Sequence, residues 1–169
     1  MTDALRAAIH EMLASVTTMS LSTCRDGRPW AATVFFASDP EFGLYFVSDS
    51  RTRHAEDIAA GSAVAATITP ECTHWHDVRG LQLEGRAEVL DGIARLAGLK
   101  CFLGRFPDVR ALFERPQGDD EQTIAERLRS ANLYCLRPSR IRLIDNSRGF
   151  GFREELILQD RLQPQPGRS

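Results

Sequence analysis

The chain has 169 residues, with 21 Lys+Arg against 23 Asp+Glu, a formal net charge of −2 at pH 7. At roughly 150 residues per domain this is one domain, large enough to bury a core without disulfide staples. A hydrophobic share of 43% and a charged share of 26% exclude a disordered chain, and the near-neutral balance excludes a globally basic nucleic-acid binder.

The first segment is predicted helical. Leu5, Ala8, Ile9, Met12, Leu13 and Val16 share one apolar face, and Thr2 or Asp3 is placed to cap it. The period then shortens to that of strands. Residues 19–24 alternate, Asp26-Gly27 is a hairpin turn signal, and residues 30–37 form a second strand rich in β-branched and aromatic side chains. Residues 38–41 turn the chain into a third strand over 43–48. A short helix is expected over 52–60, stopped by Gly61, and a fourth strand over 62–69. Residues 70–77 read as an irregular polar loop. A fifth strand spans 81–90, with Leu81, Leu83, Gly85, Ala87 and Val89 on one face.

Asp91 opens a helical region to about Phe106, which Pro107 breaks, and helical pattern resumes to Glu114. Residues 116–120 read as a loop, with Asp119-Asp120-Glu121 as a solvated acidic run, and 123–130 as a short helix. A long strand covers 133–144, where Pro138 demands an edge or a bulge. A glycine-bearing turn over 146–151 and a weak last strand follow. Residues 1–162 form the expected domain and 163–169 a disordered tail. Antiparallel hairpins with helices between and after them imply an α+β fold: an antiparallel six- to seven-stranded split β-barrel with flanking helices.

No apolar run approaches the roughly 20 residues of a membrane span, and residues 1–13 lack the pattern of a secretory signal. Cys24, Cys72, Cys101 and Cys135 are scattered, which reads as reduced thiols in a cytoplasmic protein. Lys100 is the only lysine, so nearly all positive charge is arginine, the fork-shaped donor for carboxylates and phosphates.

The most informative stretch is 45–58. A strand ends in a loop carrying Ser48, Ser50, Arg51, Thr52, Arg53 and His54, and a helix starts there. Hydroxyls, guanidinium groups and free backbone N–H groups in one turn suit a phosphate monoester. A capped helix with solvated arginines is the plainer alternative.

Arg51-Thr52-Arg53-His54-Ala55, followed by Arg79-Gly80-Leu81-Gln82 and Asp145-Asn146 with Gly149-Phe150-Gly151, resembles the FMN-binding split barrel of the pyridoxamine-phosphate oxidase superfamily. Within it, Arg105-Phe106-Pro107 and the 140–152 segment are similar to the small YhbP-type bacterial subfamily. The resemblance implies FMN as cofactor, an oxidoreductase acting on a small molecule, and a homodimer with cofactor sites in the subunit interface. By position it implies a phosphate held by Ser48, Thr52, Arg53 and His54, with Val47 also binding the cofactor. It lays Ala32, Thr33, Val34 and Phe35 along the isoalloxazine edge, and brings Gly80, Leu81 and Gln82 from the partner subunit. His54 stands where better-known oxidases have lysine, which implies weaker or more pH-dependent phosphate binding. A non-catalytic flavin carrier or sensor is the alternative, and so is a haem-binding protein, since some split-barrel relatives bind haem.

Three other groups invite a role. Cys72, His74 and His76 fall on one face of an extended segment, where a polar loop outweighs a metal site for want of a fourth ligand. The same segment is alternatively a border of the flavin. Trp30 reads as barrel core or dimer interface, and Phe102, Phe106 and Leu112 as packing. Phe150 or Phe152 is either part of a tight bend or a lid over the flavin. No Ser-His-Asp spacing, phosphate-binding P-loop or dinucleotide fingerprint is present.

Overall fold

The computed structural model describes residues 2–158, so the expected tail lies outside the described residues. The first helix, α1 (Thr2–Ser15), buries Leu5, Ile9, Met12 and Leu13. Thr2 lies within it rather than ahead of it. β1 (Thr18–Arg25) and β2 (Arg28–Phe35) form the expected hairpin. Asp26 and Gly27 both take positive φ (53° and 72°), as a two-residue turn of this hand requires.

The second strand stops at Phe35, and Phe36, whose N–H still donates to the Thr17 carbonyl (3.0 Å), separates it from the next strand. The chain continues as β3 (Ala37–Ser38), β4 (Leu44–Ser48), α2 (Arg53–Ala59) and β5 (Ala63–Ile68). A 3₁₀ turn at Trp75–Asp77 leads into β6 (Arg79–Val89). Next come α3 (Gly92–Arg105), α4 (Pro107–Glu114) and α5 (Gly118–Ser130). The chain closes with β7 (Asn132–Asp145), a 3₁₀ turn at Asn146–Arg148 and β8 (Arg153–Ile157).

Two expectations are corrected. The sheet among the described residues has eight strands, not six or seven, because the second strand divides and the weak last one pairs with β7. The acidic run 119–121 is the first turn of α5, not a loop. Carboxylates there complement the helix dipole, and Glu121 accepts the Gln117 N–H at 2.7 Å.

The strands pair in the order β2-β1-β5-β6-β7-β4-β3, with β8 on the same edge of β7 as β4, opposite β6. Every pairing is antiparallel. The sheet curls into a half-barrel, and β2 pairs only with β1, leaving a free edge. β7 is the central strand: β4 covers its first part and β8 its last. Pro138 falls between those two pairings, at a register shift where Ser139 is extra and Gly85 faces Pro138. The shift switches the inward set of β7 from Leu143 and Ile141 to Leu136 and Tyr134.

Two cores result. The larger fills the barrel concavity with α1, Phe36, Phe42, Phe46 and the inward residues of β1, β5, β6 and β7. The smaller joins α3 (Phe102) to the outer face of β4 and β7 through Tyr45, Leu133 and Cys135. Residues 133–136 are therefore buried on both faces. Val89, expected to share the inward face, is exposed at the last position of β6.

Candidate functional site

β4 ends at Ser48 and a short loop turns into α2, while β2 passes alongside. Between β2, β4 and the α3–α5 helices lies a cavity of about 300 Å³. Thr33, Val34, Phe35, Val47, Ser48 and His54 line it, together with Phe102, Val109 and Leu128. Six of the expected site residues are thus brought together. The other three come from three successive helices. Phe102 was expected only to pack, and no spacing in α4 or α5 marks Val109 or Leu128 as facing a shared space.

One end of the cavity is polar. Ser48 Oγ lies 2.7 Å from His54 Nε2, and Thr52 Oγ1 lies 3.2 Å from each. Thr52 Oγ1 also donates to the Asp49 carbonyl at 2.8 Å, so this hydroxyl is oriented by its own loop. His54 is buried, and burial holds its pKa below the ordinary value against the opposing charge of Asp57. A neutral imidazole follows near pH 7, able to donate or accept once at Nε2.

Asp57 anchors this helix from behind. Its carboxylate is fully buried, accepts from Thr23 Oγ1 at 2.7 Å and lies 3.1 Å from Arg25 Nε. It ties α2 to β1 and is turned toward those two groups, so Ser48 and His54 are not the first members of a Ser-His-Asp triad.

The arginines of the loop take other posts. Arg51 pairs with Asp49 (Nη2 to Oδ2, 2.6 Å) and is 88% exposed, so it is not aimed into the cavity. Its guanidinium pulls the Asp49 carboxyl down to about 2. Arg53 donates to the Arg28 carbonyl at 3.1 Å and lies over the Trp30 ring at 5.0 Å, bracing the β1–β2 hairpin against α2. Trp30 is 43% exposed on the free-edge strand, not in the barrel core.

Ala32 lies on β2 beside the lining residues. Gly80, Leu81 and Gln82 lie on β6, separated from β2 by β1 and β5. Leu81 is buried in its own barrel, Gly80 packs against the Ile68 carbonyl, and Gln82 is exposed beside Arg142. Within one chain these three do not reach the cavity.

Cys72, His74 and His76 are exposed, and among the described residues no three His, Cys, Asp or Glu side chains come together as a metal cluster. All four cysteines are free, and burial pushes the Cys135 thiol up to about 12, which makes it a poor nucleophile. Arg105, part of the Arg105-Phe106-Pro107 motif, donates to carbonyls at the end of α1. Among the described residues no helix is long and apolar enough to cross a membrane.

A family model for pyridoxamine 5'-phosphate oxidase matches residues 5–136. The chain belongs to that family. It is 28% identical over 145 residues to the UPF0306 protein YhbP of Salmonella arizonae, covering 85% of this chain and 87% of that one. Among solved structures, a haem-binding protein from Mycobacterium smegmatis superposes with a TM-score of 0.66 at 18% identity. That match covers 90% of this chain, which spans only 57% of the mycobacterial one. General Stress Protein 26 from Bacillus anthracis superposes with a TM-score of 0.60 at 19% identity, over 91% of this chain and 98% of that one. At such identities the likeness establishes the split-barrel fold.

Proposed function

We propose that this family member binds FMN and acts, as a homodimer, as an oxidoreductase on a small molecule. One observation carries it: Ser48 and His54, within hydrogen-bond distance of each other and of Thr52, form one end of a cavity whose other walls are apolar apart from Thr33. The Ser48 hydroxyl and the His54 imidazole suit the terminal phosphate of FMN, with Thr52 behind them, and Val34, Phe35, Val47 and Phe102 suit a flat ring system. The free edge of β2 offers backbone donors and acceptors alongside. FMN would supply the hydride and electron transfer; the chain's part is to bind, orient and shield. No side chain in the cavity has the placement of an obligatory acid or base.

A second chain fits the outer face of the half-barrel. Ala31, Ser22 and Ala65 follow one another across β2, β1 and β5, so small side chains leave that part of the face open to close approach, with Glu84 next to them on β6 paired to Arg140. Of Gly80–Gln82, remote from the cavity of their own chain, the exposed Gln82 is then the side chain available to the partner's. The free thiols support a cytoplasmic location.

The test is the visible spectrum of the purified protein and its melting temperature with FMN. A flavin spectrum, or a rise in Tm that grows with FMN concentration, is expected. A colourless protein whose Tm ignores FMN overturns the proposal. Reduction of bound flavin by NADH or NADPH separates an enzyme from a carrier or sensor. A haem-binding function is the second reading, favoured by the fold shared with the mycobacterial haem-binding protein and by exposed His74 and His76. A Soret band on haem titration, lost in His74→Ala or His76→Ala, would replace the flavin reading.

A further inference from the structure

We propose that the groove beside the β6–β7 register shift is a second anion site, in which Arg86 and Arg137 hold a phosphate group. The groove has a volume of about 240 Å³, and Arg86, Arg137, Ser139 and Glu84 supply its polar lining. None of these residues lines the larger cavity.

The register shift builds the groove. Arg86 stands directly opposite Arg137 and Glu84 opposite Arg140, with Ser139 as the extra residue between the two pairs. Three positions apart on a regular strand, Arg137 and Arg140 would point to opposite faces. The extra residue turns both to the outer face, as a bulge does when it re-aims a side chain. Ala63 and Gly85 complete the lining and leave room between the strands.

The charges do not balance. Arg140 engages Glu84 at 3.2 Å, and Arg137 gives its Nε–H to Glu88 at 3.2 Å. Among the described residues the two Nη groups of Arg137 have no partner, and the Arg86 guanidinium makes no ion pair or hydrogen bond. Three guanidinium groups therefore face two carboxylates, and the excess sits on Arg86. Like charges directly opposite each other across two strands destabilise a sheet, so Arg86 and Arg137 gain from an anion between them. The Arg137 side chain is only 34% exposed, which strengthens its attraction for such an anion.

The donors fit phosphate. Two planar forks match its oxygens in bidentate fashion. The Ser139 hydroxyl donates to the Glu84 carbonyl over 3.3 Å, a long bond that a phosphate oxygen can replace. The volume admits a phosphate with a short stem rather than a nucleotide. On the outer face the groove lies between the small residues offered to a second chain and the seat of α3 at Cys135. It is built without FMN, and the inference stands apart from the flavin reading.

The test uses the full chain in a chloride buffer. Inorganic phosphate and ethyl phosphate are titrated at constant ionic strength while Tm and the calorimetric Kd are followed. Every titration is repeated with His54→Ala, which silences the polar end of the larger cavity. In both backgrounds phosphate is expected to raise Tm with concentration. Arg86→Gln should weaken phosphate binding about tenfold, and Arg86→Lys, which keeps the charge but not the fork, by less. Without phosphate, Arg86→Gln should melt at or above its parent, because the like-charged pair is gone; that melt also reports that the variant folds. Tighter binding of ethyl phosphate identifies an organic phosphate as the ligand, and equal binding identifies the free ion. A Tm that ignores phosphate in the His54→Ala background overturns the inference. So does a rise that survives Arg86→Gln in that background.

Discussion

Ser48 Oγ and His54 Nε2 lie 2.7 Å apart, joining the end of β4 to the first turn of α2 at the polar end of the cavity. The contact is between two groups that can each be turned toward an anion. Ser48→Ala and His54→Ala are expected to weaken FMN binding at least tenfold, since each removes a hydrogen bond to a charged group. His54→Lys retains binding. Isothermal titration with FMN checks the order, and undiminished affinity in both alanine variants contradicts the assignment of the phosphate end.

The pH dependence follows from the depressed pKa of His54, whose first cause is burial. The folded state holds this proton less firmly than the unfolded one. Its contribution to stability is therefore complete above the unfolded value of 6.5 and is lost as pH falls below it. Thermal melts between about pH 5 and 8 should show a slope that His54→Gln flattens.

If FMN binds as proposed, cofactor binding is expected to have the opposite sign: a doubly charged phosphate favours the protonated imidazole, so binding should take up a proton and its affinity should fall as pH rises. His54→Lys removes that dependence, because lysine stays charged throughout. Kd values measured from about pH 6 to 9 decide it; parallel curves for the two proteins would mean that the imidazole does not meet the phosphate.

Gly85 faces Pro138 at the register shift, where an added Cβ would collide with the Arg137 carbonyl and lie 2.8 Å from Pro138 Cα. Backbone cannot step aside there as a flexible side chain would. Gly85→Ala is expected to cost about 1–3 kcal/mol in chemical denaturation. Gly104→Ala on α3, where nothing lies within 4 Å, is the control and should be neutral or slightly stabilising.

Arg105 reaches from the last turn of α3 to the open end of α1. Its Nη2 lies 2.8 Å from the Val16 carbonyl, 2.9 Å from that of Ala14 and 3.2 Å from that of Leu13. It satisfies carbonyls that a helix end leaves without internal partners. Arg105→Ala should destabilise the protein by about 1.5–3 kcal/mol, with faster amide exchange at the end of α1. Arg105→Lys should recover only part of this, because an ammonium lacks the planar fork.

Most elements were legible because each rests on a local rule. The apolar stripe of α1, the Asp26-Gly27 turn and the Pro107 break act over a few residues. Pro138 was legible as a constraint, and the register shift opposite Gly85 is its answer. The start of α5 was misread because acidic residues suit both a solvated loop and a helix N-terminus. Within the site, the hydroxyls and His54 were legible as a cluster on one turn. Of the arginines beside them, Arg51 pairs with Asp49 and Arg53 with Arg28 and Trp30, partners that spacing does not reveal.

The sequence by itself determined the element types, the hairpin turn, the family and the phosphate-like composition of the 48–54 loop, because period, turn chemistry and ordered motifs are properties of neighbours along the chain. The tertiary structure alone decided that Phe102, Val109 and Leu128 join β2 and β4 around one cavity, that Arg105 ends α1, and that Arg86 faces Arg137 beside the register shift. Those partners lie far apart in sequence, and only the curl of the sheet and the packing of the helices over it bring them within bonding distance.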